Sequence, residues 1–175
     1  MADFDKFIEL RPKLAPRHWQ RGISCYYTGQ FKDGKKQFED YQGVFDNDVE
    51  NVVWRYLCQA KIDGVKKARA DMLPVGADKR VPMKEIYQMF LGKLKPEEVM
   101  QVAKAGKPAA NELAHRLFYA HLYLGLYYES LDETKKALEH LTAAADDEFD
   151  VGGYMWDVAR VHRDIRRKEK KKENQ

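Results

Sequence analysis

Long apolar runs are missing from this chain of 175 residues. None approaches the roughly 18 residues that a bilayer-spanning helix needs. The first residues, MADFDKFIELRPK, place acids early and hold no apolar signal core. The chain is therefore expected to be soluble and cytoplasmic. Cysteine is scarce, with Cys25 and Cys58 alone. A disulfide-stapled fold is normally smaller and richer in cysteine. Both cysteines lie inside apolar helical patterns and read as small buried hydrophobes. Charge of one sign is lacking as well: 31 Lys and Arg against 28 acids leave a net +3, much of it in the last turns. A near-neutral body argues against a nucleic-acid surface there.

Chemical motifs are equally sparse. VGADKR and AGKPAAN are turns that do not continue into a phosphate-binding Walker pattern. The five histidines, His18, His115, His121, His140 and His162, form neither HExxH nor a Cys–His zinc spacing. His115 and His121 are six apart, a poor fit to one helical face, and read as surface or packing residues. No local signature pairs Cys25 with a histidine as a nucleophile. DDEFD, residues 146–150, lacks the spaced ligands and the glycine of an EF-hand and reads as a polar turn. No catalytic residue, metal or cofactor is expected.

What is present is helical periodicity. Apolar residues recur at three and four along the whole chain, with no strand-like alternation. Charged residues make up 34% and mean hydropathy is −0.69, which suits a thin, surface-rich helical protein. Helices are predicted over 17–28, 33–44, about 49–63, 65–72, 83–91, 96–104, 109–130, 133–145 and 152–168. Gly29 and Gly92 are expected as C-caps. FDNDVEN, 45–51, supplies capping residues between two helices. LPVGADKRVP, 73–82, is a loop. Pro96-Glu97-Glu98 opens a helix, because proline is tolerated in the first turn and acids favour the helix dipole there. The reading is all-α, in antiparallel helix pairs joined by short loops.

Two of these pairs repeat. HWQRGISCYYTGQFKDGKKQFEDY aligns with HLYLGLYYESLDETKKALEHLTAA. Gly22 then meets Gly125, 103 residues on, and Gly29 meets Asp132. Gly34 meets Ala137, and Phe38 meets Leu141. WRYL places Cys58 in the same frame 36 residues after Gly22. These features resemble the tetratricopeptide repeat (TPR), a helix-turn-helix unit of about 34 residues with fixed small and large positions. The order of a WRYL helix, a short mid-chain pair and a YLGLYY helix is most similar to NlpI-type TPR proteins, bacterial outer-membrane-associated lipoproteins that act as adaptors. Their lipidated N-terminal cysteine has no counterpart near the start here, so anchoring does not carry over.

The resemblance implies a short right-handed superhelix of helix pairs. An N-terminal arm, 1–16, precedes one repeat domain, 17–165. Its units are about 17–45, 49–73, 83–105 and 109–145, with a cap at 152–165. The 83–105 unit is truncated by Pro96. In this frame Phe38 and Leu141 fill the gap between units. First helices line the concave face of such a stack, which nominates Trp19, Ile23, Tyr26, Tyr27, Arg55, Gln59, Tyr119, Leu122 and Glu129 as partner-binding residues. Aromatic anchors around one arginine suit an extended or helical peptide. The helices at 83–104 either leave that face open or fold over it. The Lys/Asn carboxylate clamp of some TPR proteins is missing, since its positions hold Trp19, Ile23 and Arg55.

The implied function is a non-enzymatic protein–protein adaptor, with self-association through the aromatic faces as a variant. The alternative rests on the basic tail, 166–175, with Arg166, Arg167, Lys168, Lys170, Lys171 and Lys172. It would bind nucleic acid or an anionic membrane surface. An enzyme would need converging polar groups, such as His121 with a buried carboxylate, in a closed pocket.

Overall fold

The helix pair that begins at Trp19 shows why this sequence folds as hairpins. In the computed structural model, which describes residues 1–149 and 151–173, α2 is Trp19–Tyr27 and α3 is Phe31–Gln42. Gly29, at φ +74°, stops α2. Its N–H donates to Tyr26 O at 3.2 Å and the Gln30 N–H donates to Cys25 O at 2.8 Å. That pair of bonds is a Schellman cap, which turns the chain back on itself. The two helices then close tightly. A Cβ built on Gly22 would stand 2.7 Å from the ring tip of Phe38. Gly34 of α3 also lies against α2, its constructed Cβ 3.2 Å from the Gly22 carbonyl.

The chain divides into two compact units, one running Met1–Lys79 and the other beginning at Arg80. In the first unit, α3 packs on α4, Val49–Asp63, and α4 on the short α5, Val65–Ala70. Asp48 caps α4 by accepting the Glu50 N–H at 3.0 Å. Asn51 through Gln59 are all buried, so α4 is the core helix of this unit. The 71–82 loop is tied back to it, with the Val49 N–H donating to Asp78 at 3.2 Å and the Gly76 N–H to Asp46 O at 2.8 Å.

Residues expected as an arm are helical. Helix α1 is Ala2–Leu10, followed by a 3-10 stretch over Pro12–Arg17. Asp3 and Asp5 sit in the first turn of α1, where they favour the helix dipole. No residue of α1 is buried. It rests on the body through the Phe4 and Phe7 rings against His18 and an Asp5–Arg21 ion pair at 2.8 Å.

The second unit holds α6, Met83–Phe90, α7, Pro96–Lys104, α8, Ala110–Ser130, α9, Thr134–Ala144, and α10, Tyr154–Glu173. Gly92 caps α6 as expected, at φ +78°. The Lys95 N–H donates to the Glu98 carboxylate at 2.7 Å and opens α7. The α8–α9 hairpin repeats the geometry of α2–α3. Asp132, at φ +60°, takes the place of Gly29. Its N–H bonds Glu129 O at 3.0 Å and the Glu133 N–H bonds Tyr128 O at 2.9 Å. A Cβ on Gly125 would meet Leu141 Cγ at 2.7 Å.

The 103-residue alignment therefore holds at the C-terminal caps of α2 and α8 and at the Gly22–Phe38 and Gly125–Leu141 contacts. Phe38 and Leu141 each stand over the glycine of their own hairpin, where the missing side chain leaves a hole that a large residue closes. Among the described residues there is no strand, and no helix is long and apolar enough to cross a membrane. Asn174 and Gln175 of the tail, and Asp150 of DDEFD, lie outside the described residues.

Candidate functional site

The side chains nominated from the sequence fall into two groups, one in each unit. In the first, α2 carries Trp19, Ile23, Tyr26 and Tyr27. Ile23 and Tyr26 are buried, whereas Trp19 and Tyr27 keep part of their surface. Tyr26 meets the edge of Trp54 at 5.4 Å and Tyr27 tilts toward the same indole at 6.2 Å. This joins α2 to α4 through one aromatic cluster. It leaves Trp19 and Tyr27 as the apolar groups of the set that still face outward.

Arg55 has a structural post. It is buried, and its Nε and Nη2 donate to Glu39 Oε1 at 3.1 and 2.9 Å while Nη1 donates to the Asp71 carbonyl at 2.8 Å. Burial pushes the Glu39 carboxyl up, but the bonds from Arg55 and Lys35 outweigh it and hold the group below its ordinary value. Gln59, also buried, donates to the Asp63 carboxylate one turn on. Arg55 ties α4 to α3 and to the loop after α5, Gln59 bonds within α4 itself, and neither has surface to present.

In the second unit, α8 carries Tyr119, Leu122 and Glu129. Leu122 is fully buried. Tyr119 is half-buried, lies parallel to Tyr123 at 6.4 Å, and has the exposed Arg80 guanidinium 5.7 Å above its ring. A cation over an aromatic face, next to a second ring, is a platform that can take a peptide side chain.

Glu129 is the hub of an ion network. The His162 Nε2 lies 2.5 Å from its Oε2. Arg166 donates to both oxygens, Nε at 2.7 Å and Nη2 at 2.9 Å. Burial would raise this carboxyl, yet the His162 and Arg166 contacts win and hold it at about 2. The network bolts α10 to α8. It also engages Arg166 of the tail set, whose guanidinium is shared between Glu129 and the exposed Glu169. The rest of the set, Arg167, Lys168, Lys170, Lys171 and Lys172, is exposed along the last turns of α10.

Some features were not legible as motifs. His121 and His140 face each other across α8 and α9, with their Nδ1 atoms 3.0 Å apart. They are 19 residues apart in the sequence, beyond any local spacing rule. His121 thus meets another histidine rather than a carboxylate. Arg80 lies in the loop, where nothing marked it. An open depression of about 260 Å³ between α3 and the end of α4 is bordered by Lys32, Lys35, Lys36, Glu39, Ile62 and Asp63. Those lysines share one α3 face at i, i+3 and i+4, a spacing the sequence does display. No protein-family model matches the chain.

Proposed function

We propose that the protein is a non-enzymatic adaptor of the TPR-like kind, a short right-handed superhelix capped by α10, which binds a peptide or helix of a partner protein. The observation that carries this reading is the recurrence of one hairpin. Gly22 under Phe38 and Gly125 under Leu141 share their offset, their Schellman caps and their close approach. Hairpins built to this pattern are units for stacking, and their first helices carry recognition in such arrays. Of the first-helix residues, Trp19, Tyr27 and Tyr119 keep accessible aromatic surface. Aromatic side chains with a nearby arginine are the usual anchors of peptide contacts. Arg80 over Tyr119 supplies that arginine.

The test is an affinity pull-down from lysate with wild type and a Trp19→Ala/Tyr119→Ala variant of matched thermal stability. The adaptor reading expects a defined set of proteins that the variant loses. Equal recovery by both would remove these residues from the binding site. A second reading has its own observation. Helix α10 continues to Glu173 with residues 167–172 exposed, which arrays Arg167, Lys168, Lys170, Lys171 and Lys172 on a helix end. In that reading the array contacts nucleic acid or an anionic membrane surface, and its signature would be steep salt dependence that vanishes on truncation after Arg167.

A further inference from the structure

We propose that His121 and His140 form a binding site for a divalent transition-metal ion of the Cu(II), Ni(II) or Zn(II) class, through their two Nδ1 atoms. This is independent of the adaptor reading. Imidazole nitrogen suits these ions. With metal–nitrogen bonds of about 2.0–2.1 Å, two ligands on one ion stand about 2.9 Å apart at a right angle and about 3.4 Å apart in a tetrahedron. The observed Nδ1–Nδ1 separation of 3.0 Å lies within that span.

Each ring lies against an aromatic neighbour. Tyr128 stacks on His140 at 5.5 Å and 18°, and Phe149 stacks on His121 at 6.1 Å and 22°. The backbones beneath them are drawn together by the Gly125–Leu141 contact, one turn beyond His121 and next to His140. Both imidazoles are available as neutral ligands. Burial, then the neighbouring His140 and Lys104, bring His121 down to about 4, and burial lowers His140 against an upward pull from Glu139. Glu139 favours a bound cation and Lys104 opposes it.

Without metal, one Nδ1–H donates to the other Nδ1 lone pair. Binding requires the donor ring to move its proton from Nδ1 to Nε2 and both rings to pivot, because the hydrogen bond aims the two nitrogens at each other and a shared ion lies off that line; no net proton is released. No third His, Cys, Asp or Glu completes the set among the described residues. The remaining coordination positions therefore fall to water or an external donor.

The experiment is calorimetric titration of the full chain with CuCl2 and with ZnCl2 near pH 7. The variants are His121→Gln, His140→Gln and, as a control on the same helix, His115→Gln. Changes outside the ligand shell already cost about 10–100-fold in affinity. Loss of either ligand should therefore weaken the tighter-binding ion at least about tenfold, while His115→Gln leaves it unchanged. Nitrogen-15 NMR of the loaded protein should show both His121 and His140 protonated at Nε2, a readout that does not depend on how well a variant folds. Three results would each overturn the site: wild type binding no more tightly than either ligand variant, dependence on His115, or an Nδ1–H signal that persists at saturating metal.

Discussion

Gly22→Ala sets two effects of known size against each other. Inside a helix, alanine is favoured over glycine by about 0.8–1.0 kcal/mol. On an open helix face the substitution would stabilise. Here the new methyl would stand 2.7, 2.8 and 3.0 Å from three atoms of the Phe38 ring, where carbon atoms prefer about 3.5–4.0 Å. Phe38 is 1% exposed, so the ring has nowhere to swing. Overpacking a well-filled core costs about 1–3 kcal/mol. Allowing for the propensity gain, the net change should be a loss of roughly 1 kcal/mol, or a fall in Tm of about 2–4 °C for a chain of this size.

Thermal and urea unfolding of Gly22→Ala, Phe38→Leu and the double variant measure it. A leucine in place of the Phe38 ring is smaller and should relieve the clash, so the double variant should be more stable than the sum of the singles by about 1 kcal/mol. Gly43→Ala is the control. Gly43 is in the right-handed region, and the nearest atom to its Cβ is a carbonyl at an ordinary 3.4 Å. If Gly22→Ala stabilised the protein by the full propensity gain, with no coupling to Phe38, the close-approach account of the hairpin would be refuted.

Further outcomes follow from the buried groups. Glu129→Ala leaves His162 and Arg166 facing a void and should cost about 3 kcal/mol by urea unfolding, with Glu129→Gln milder. Because the folded Glu129 carboxyl is held at about 2, below its ordinary 4.5, its contribution is present above pH 4.5 and should be lost as pH falls toward 2, as an acid titration of stability would show. The Cys58 thiol, pushed up to about 12 by burial, should resist a thiol reagent at pH 8 until the protein unfolds. Truncation after Arg167 should leave stability within about 0.5 kcal/mol, whereas Arg166→Ala should lower it measurably, since Arg166 bonds Glu129 and its successors are exposed.

How far the sequence could be read depended on the range of each interaction. Gly29 and Gly92 were legible as caps because a left-handed residue after an apolar helix is a local signal. Asp132 was aligned with Gly29, yet its role as a cap came only with the structure, because a left-handed non-glycine residue carries no comparable signal. The small–large pairs were legible as a spacing repeated between two segments of one chain, though not which partner each residue would meet. Burial was the harder matter. Arg55, Gln59 and Glu129 sit at first-helix positions that face outward in the repeat frame, yet each has found an internal partner. Those partners, Glu39, Asp63 and His162, include one 33 residues away. A charged side chain reads as a binding residue until its counter-ion is located, and only the fold does that. Helix α1 went unassigned within the N-terminal arm, although Phe4, Phe7 and Ile8 follow the helical period.

The central claim is that partner proteins are engaged through the half-buried aromatics of the first helices. Placing a photo-crosslinking amino acid at Tyr27, at Tyr119 and, for comparison, at Lys172, then irradiating in lysate and sequencing the products, tests it most directly. The account predicts that positions 27 and 119 crosslink to recurrent peptides from a small set of proteins, and that position 172 does not. Crosslinks confined to position 172 and carrying nucleic acid or lipid would contradict it.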